Sequence, residues 1–489
     1  MVCPFLLCYS FSAACFNILL TEQSTFRGIF MDYVLPALAG FVAISSVLLS
    51  PKAQTEGAFF RGLSATGEQP GLLTLTFSQV TTWIFARSLL NAAILGFYYG
   101  LWGTLAYAFY YFSFITGGRI VDHLRFEHGF DSVQGFLNAR FGRWGTGCYN
   151  FVVGIRLISE VFANLLVIGI LFGASGSQTY TLSILVFAGI TLFYSMLGGL
   201  RASLRTDLFQ MILFLGTLGM LVVLVIGSRS VGISDLWFKP FEISRPGPVL
   251  MVVALLQIWS YPMHDPVMMD RGFLADRETT RRSFFHACWI SFLCILTFGS
   301  LGILAGANAM SGELMNDTLL RLLGELPMLI FSGCLIISAM STLDSTLSSS
   351  AKLVASDMGV LRMSLRNGRM VMAAFMLVGL ALVFWGNKDL FSAVAVSGTA
   401  SMYLAPVVFF SLWGRRDDIP VWSYLFSFIL ALGGAVLYFT ESSGHSSLLP
   451  EIHKYTKLLY ICVTVLGFGC LSFWLGGLFN RTASVEEDS

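Results

Sequence analysis

Charge is scarce in this 489-residue chain: Asp, Glu, Lys and Arg make up 12% of it against 56% hydrophobic residues, with a net charge of only +1. Soluble domains carry about 25% charged residues, and a mean hydropathy of +0.75 points instead to a chain that crosses a membrane many times. No basic run is long enough to serve as a nucleic-acid-binding arm. The nine cysteines show neither CxxC nor zinc-type spacing, so they are read as small core residues and not as a redox or metal framework. HExxH, GxSxG and paired catalytic constellations are missing too, which leaves an enzyme without a basis. The expectation is a non-enzyme without an organic cofactor or transition metal, and no obligate protein partner is implied.

What the chain does have is apolar runs of about 20 residues, the length a membrane helix needs. They fall at 33–49, 72–101, 102–122, 147–173, 179–199, 206–227, 246–269, 284–308, 326–355, 369–386, 389–412, 421–440 and 456–478, thirteen in all. Basic residues collect in every second connection: Lys52 and Arg61; Arg125, Arg140 and Arg143; Arg201 and Arg205; Arg271, Arg277, Arg281 and Arg282; Arg362, Arg366 and Arg369; Arg415 and Arg416. By the positive-inside rule those connections are cytoplasmic, as is the C-terminal tail, and the expected location is the plasma (inner) membrane. Residues 1–30 hold a short apolar run without the basic start of a signal peptide and are taken as an N-terminal extension or an additional span.

The spans divide into two blocks of five, each opening with an interrupted helix. In the first block Arg87, Ser88 and Asn91 interrupt apolar sequence; in the second, Pro262 and Pro266 flank His264-Asp265, each proline removing a backbone donor. Paired breaks of this kind mark a transporter's binding site, and an odd number of helices per block inverts the second repeat relative to the first. The expected division is an extension (1–30), a peripheral helix and cytoplasmic loop (31–71), a first five-helix repeat (72–228), an outer loop (229–245), a second repeat (246–413), and two peripheral helices with a cytoplasmic tail (414–489). Within the outer connection 312–327, a short amphipathic helix is expected as a lid or as interfacial packing.

A second feature is the stretch Gly333 to Asp357, an apolar helix that fills with hydroxyls. Ser338, Ser341, Thr342, Ser345 and Ser349 recur at i, i+3, i+4, i+7 and i+11, one stripe of a helix, with Asp344 at its edge. Small hydroxyl residues can serve only to pack helices closely. Five on one face beside an intramembrane carboxylate favour an ion site.

Two segments resemble the sodium/solute symporter family, the group of proline, pantothenate, sialic acid and sugar symporters. LGGLRASLRTDLFQ at 197–210 is similar to the signature at the start of its fifth core helix, and AMSTLDSTL at 339–347 to its eighth core helix. DRGFLADRE at 270–278 is a weaker match after the sixth. The resemblance implies an all-α LeuT-type bundle with a 5+5 inverted repeat and sodium-driven uptake. It implies a main sodium site from Thr81, Ile84, Ser338, Ser341 and Thr342, and a possible second cation site from Asp207, Ser341, Asp344 and Ser345. Oxygen ligands from unwound carbonyls and hydroxyls suit a small hard cation. The bland alternative pairs Asp207 with Arg201 or Arg205 at the membrane surface.

Candidate solute-binding residues are Arg87, Ser88, Asn91, Arg156, Trp259, Tyr261, His264 and Asp265. A guanidinium in the membrane needs a partner, either a solute carboxylate or an internal acid such as Glu160 or Asp265. Arg156 and Glu160 stand at i and i+4 and are expected to neutralise each other. His264 is expected to be a structural hydrogen-bonder and not a proton carrier. The resulting expectation is import of a small organic solute, a carboxylate such as an amino acid; a sugar, polyol or urea, or a solute-sensing module, are the alternatives. A sensor would be expected to carry a long C-terminal signalling domain, whereas here about ten residues follow the last span.

Overall fold

The structure is a computed structural model that describes residues 29–64, 66–227, 239–385 and 397–487. The extension expected at 1–30 lies almost wholly outside these residues, as do much of the outer loop at 229–245 and the start of the span expected at 389–412.

Every regular element among the described residues is helical: α1 Ile29–Leu49, α2 Glu56–Arg61, α3 Leu72–Trp83, α4 Ala86–Phe109, α5 Ser113–Val121, α6 Val133–Phe172, α7 Gln178–Gly198, α8 Leu200–Gly227, α9 Pro246–Gln257, α10 Tyr261–His264, α11 Pro266–Gly272, α12 Arg277–Asn308, α13 Met315–Leu323, α14 Glu325–Lys352, α15 Leu365–Trp385, two short helices at Ser397–Ala400 and Leu404–Pro406 (α16 and α17), α18 Val421–Ser442 and α19 Lys454–Glu487. Among them nine helical stretches are long and apolar enough to cross a membrane, and 33–49 and Pro246–Gln257 are shorter apolar helices.

Glycine fixes two of the span boundaries. Gly100 (φ 64°, ψ −148°) folds the chain back inside α4, and Gly142 (φ 58°, ψ −150°) separates the start of α6 from the span that follows. A side chain resists these conformations, so the boundary expected between 101 and 102 falls within two residues of a turn that glycine makes.

α14 is the axis of the bundle. All its residues from Pro327 to Ala351 are buried, and α1, α6, α8 and α15 pack around it. Its serines and threonines therefore face protein and not lipid, which is where a membrane helix places hydroxyls. The short amphipathic helix expected within 312–327 is present as α13, preceded by Glu313, which accepts hydrogen bonds from Arg321 Nε (2.8 Å) and Met310 N (3.0 Å).

Candidate ion and solute sites at two helix breaks

The first break separates α3 from α4. Ile84 (φ −82°, ψ 75°) and Phe85 (φ −62°, ψ 148°) leave helical geometry, which frees the carbonyls before them. The second is double: α9 ends at Gln257, the single turn α10 follows, and Asp265 (φ −99°, ψ 101°) precedes α11. Pro266 drives that last step, because a residue before proline is pushed out of the helical region. Asp265 then caps α11, its Oδ1 accepting from Met268 N at 3.0 Å.

Hydroxyls from neighbouring helices meet the carbonyls at both breaks. Tyr111 donates to Trp83 O (3.1 Å), Ser338 to Ile84 O, Thr116 to Ile258 O (2.6 Å) and Tyr149 to Met263 O (2.8 Å). The residues expected to form the main sodium site are thus partly assembled. Ser338 faces the Ile84 carbonyl from α14, and Thr342 hydrogen-bonds back to Ser338 O (2.9 Å). Thr81 stays on its own helix, bonded to Phe77 O (2.9 Å). Ser341 points elsewhere, to Asp207 Oδ1 at 2.7 Å.

One turn further along α14 lies a wholly buried polar cluster. Asp207 accepts from Ser78 (2.6 Å), and Asp344 accepts from Thr206 (2.8 Å), Ser203 (3.1 Å) and Ser345 (3.2 Å). The cation in this cluster is Arg271. Its guanidinium is 3.5 Å from Asp207 and donates to Ser78 (3.1 Å), Ser203 (3.1 Å) and Ser345 (3.0 Å). Counted by sequence among the cytoplasmic-loop arginines, Arg271 is instead fully buried at the end of α11. It is also the partner of Asp207, so the pairing with Arg201 or Arg205 is not found. A buried carboxylate at 207 demanded a nearby cation, and that demand was the signal available in sequence; its direction in space was not.

The candidate solute residues gather around the breaks, with exceptions. Arg156 Nη1 lies 3.1 Å from Glu160, and its Nη2 lies 2.7 Å from Asp265 Oδ2, which also accepts Trp83 Nε1 at 3.0 Å. Arg87 meets Glu160 at 3.6 Å. Tyr261 lies 5.2 Å below the Arg156 guanidinium and packs on Trp83 at 5.7 Å. Ser88 accepts from the Tyr107 hydroxyl (3.0 Å), and Asn91 is half-buried nearby. Trp259 is apart from these, packed edge-to-face with Phe409 and Trp413 (ring centroids 5.8 and 6.1 Å). His264 is buried, yet neither ring nitrogen has a hydrogen-bond partner among the described residues, contrary to the structural role expected of it. Sequence reasoning missed Ser78, Ser203, Thr206, Arg271 and Ser397, the last accepting from Arg156 at 3.2 Å. These are residues whose partners are 68 or more positions away in the chain.

Solved structures share this architecture. A Na+-coupled sialic acid symporter, in a substrate-bound outward-open state described as revealing a novel Na+ site, superposes with a TM-score of 0.66 at 13% identity, over 92% of this chain and 98% of that one. Mhp1, a nucleobase-cation-symport-1 family transporter in a closed conformation with bromovinylhydantoin bound, superposes with a TM-score of 0.56 at 13% identity, over 87% and 96% of the two chains. No protein-family model matches the chain, and no curated protein matches it in sequence. The all-helical LeuT-type fold expected from the sequence is thus present.

Proposed function

We propose that this chain is a sodium-coupled symporter of the sodium/solute symporter type, importing a small solute by alternating access between repeats at 72–228 and 246–413. The observation that carries the reading is the meeting of the Ile84 carbonyl, freed at the first break, with Ser338 from α14, in a fold shared with a Na+-coupled symporter. A sodium ion entering there takes over this hydrogen bond, with the carbonyls of Thr81, Ile84 and Ser338 and the Thr342 hydroxyl as its oxygen ligands. It links the two helices through an ion and so favours one arrangement of the bundle, the one to which solute binds.

The solute region holds two arginines and two acids, Arg87, Arg156, Glu160 and Asp265, whose formal charges cancel. Arg156 is locked between two carboxylates, its side chain 1% exposed; Arg87 is 11% exposed and meets Glu160 at the longer 3.6 Å. A carboxylate-bearing solute therefore engages Arg87, and a zwitterion such as an amino acid does so without adding net charge. The cancelling charges equally favour the second reading, a neutral solute such as a sugar or urea.

A thermal-shift screen of amino acids, carboxylates, sugars and ureas, with sodium or potassium at equal ionic strength, tests the proposal, since a ligand of the folded state raises apparent stability. A solute that stabilises only in sodium is expected. Equal stabilisation in potassium contradicts sodium coupling.

A further inference from the structure

The arginine-bearing end of the bundle uses its cations in two ways. On one side they are spent on acids: Arg277 holds Asp122 (2.6 Å), Arg282 holds Glu278 (2.6 Å), Arg415 holds Glu127 (2.7 Å) and Arg416 holds Asp418 (2.9 Å). On the other, Lys52, Arg61, Arg201, Arg205, Arg362 and Arg366 make no ion pair among the described residues, and all but the half-buried Arg201 are exposed. The acids within 50–71, 196–205 and 358–369 are Glu56 and Glu68 alone.

The short helix α2 brings these three segments together. Thr55 caps it, accepting from Ala58 N (3.2 Å). Phe59 and Phe60 then turn inward, into an apolar cluster against which Met196, Met363 and Leu365 also pack. Gly62, which ends α2 at φ 63°, lies so close to α8 that a Cβ there would stand 2.6 Å from Leu204 Cδ1; one on Gly368 would stand 2.5 Å from Phe59 Cε1. The end of α7 ties in both flanks, Leu197 O accepting from Ala53 N (2.9 Å) and Met196 O from Arg369 Nε (2.8 Å). Lys52, Arg61 and Arg205 are each adjacent in the chain to one of these contact residues, and Arg366 is two positions from Gly368. The cations therefore share one surface, where they repel one another unless an anion lies over them. Exposed apolar side chains flank them along the chain: Leu48 and Leu49 before Lys52, Val360 before Arg362 and Met370 after Arg366.

We propose that this surface, built from α2 and the starts of α8 and α15, binds the headgroups of anionic phospholipids. A phosphodiester supplies the negative charge that the surface lacks, and guanidinium forks hold phosphate oxygens in pairs. The acyl chains of the same lipid cover the neighbouring exposed leucines and methionine, which a soluble anion leaves bare. With the cytoplasmic orientation expected from the arginine-bearing connections, the surface faces the leaflet that carries anionic lipid. The cations on the opposite side are already neutralised by their acids. This inference goes beyond the symport reading and is independent of the ion site.

Titration of the purified full-length protein, in a neutral detergent, with phosphatidylglycerol, phosphatidylcholine or inorganic phosphate tests it, with bound ligand counted by native mass spectrometry. Phosphatidylglycerol is expected to bind and phosphatidylcholine is not. Arg61→Gln, Arg205→Gln and Arg366→Gln should each weaken phosphatidylglycerol about fivefold, the equivalent of about 1 kcal/mol, and the triple variant about a hundredfold. All three residues are exposed and unpaired; if the triple variant does not fold, the single ones carry the test. A control triple on the opposite side, Arg277→Gln with Arg282→Gln and Arg415→Gln, should bind the lipid within about twofold of the native protein. Equal losses in the two triples would reduce the effect to overall charge and overturn the proposal. Equal affinity for the two lipids would overturn it as well, and inorganic phosphate binding as tightly as phosphatidylglycerol would make the surface a soluble-anion site instead.

Discussion

Arg271 can be removed without touching the helix break, and the cost follows from its surroundings. Arg271→Met keeps an unbranched chain of about the length of the arginine's stem and leaves Asp207 buried, with hydroxyl donors from Ser78 and Ser341 but no counter-charge. At 3.5 Å the lost attraction is about 5 kcal/mol at an effective dielectric constant of about 20. Breaking one side of a buried pair costs roughly 3–5 kcal/mol in practice. Adding Asp207→Asn removes the stranded charge, so the double variant should regain about half of the loss. The assay is a double-mutant cycle on unfolding free energies in detergent, each variant unfolded by denaturant from the same micelle. A single substitution costing less than about 1 kcal/mol, or two effects that add within about 0.5 kcal/mol, would show that Arg271 and Asp207 are not coupled.

Three further outcomes are expected. Gly100→Ala forces a side chain into φ 64°, ψ −148° and should cost about 1–3 kcal/mol, read by the same unfolding assay; a loss below about 0.5 kcal/mol would mean that the turn does not need glycine. Hydrogen bonds from Arg321 hold the Glu313 carboxyl down to about 2 from an ordinary 4.5. A depressed carboxylate contributes fully above its unfolded value and is lost as pH falls through the folded one. Protection factors in hydrogen exchange over 309–323 should therefore hold from pH 7 to about pH 5 and fall progressively between about pH 4.5 and pH 2, and protection that does not change down to pH 2 contradicts the pairing. For the solute, Arg87→Gln should weaken binding of a carboxylate hit from the thermal-shift screen at least tenfold, as loss of a charged hydrogen bond of roughly 1.5–3 kcal/mol implies; unchanged affinity would leave the neutral-solute reading.

Much of the fold was legible because membrane helices report themselves by length and by the placement of arginines in their connections. Pro262 and Pro266 announced the second break, and the hydroxyl stripe on α14 announced that this helix faces protein. Site details were less legible wherever a side chain's direction decides its role. Ser341 sits on the same stripe as Ser338, yet it turns to Asp207 and not to the first break. Arg271 looked like a loop residue because Asp270, Arg277 and Glu278 surround it in sequence; it lies in the last turn of α11, which packs against α3 and α14, and is buried there. Trp259 was grouped with Tyr261 by proximity in sequence, while the irregular turn at 258–260 sends it towards Trp413.

The account's central claim is that sodium, held between the first helix break and α14, drives uptake. The direct measurement is uptake of the solute identified by thermal shift into proteoliposomes, comparing an inward sodium gradient with potassium and an inward proton gradient. The account predicts uptake only with sodium, and a higher sodium concentration for half-maximal rate in Thr342→Ala, which removes a hydroxyl ligand. Equal uptake with the proton gradient alone would contradict it.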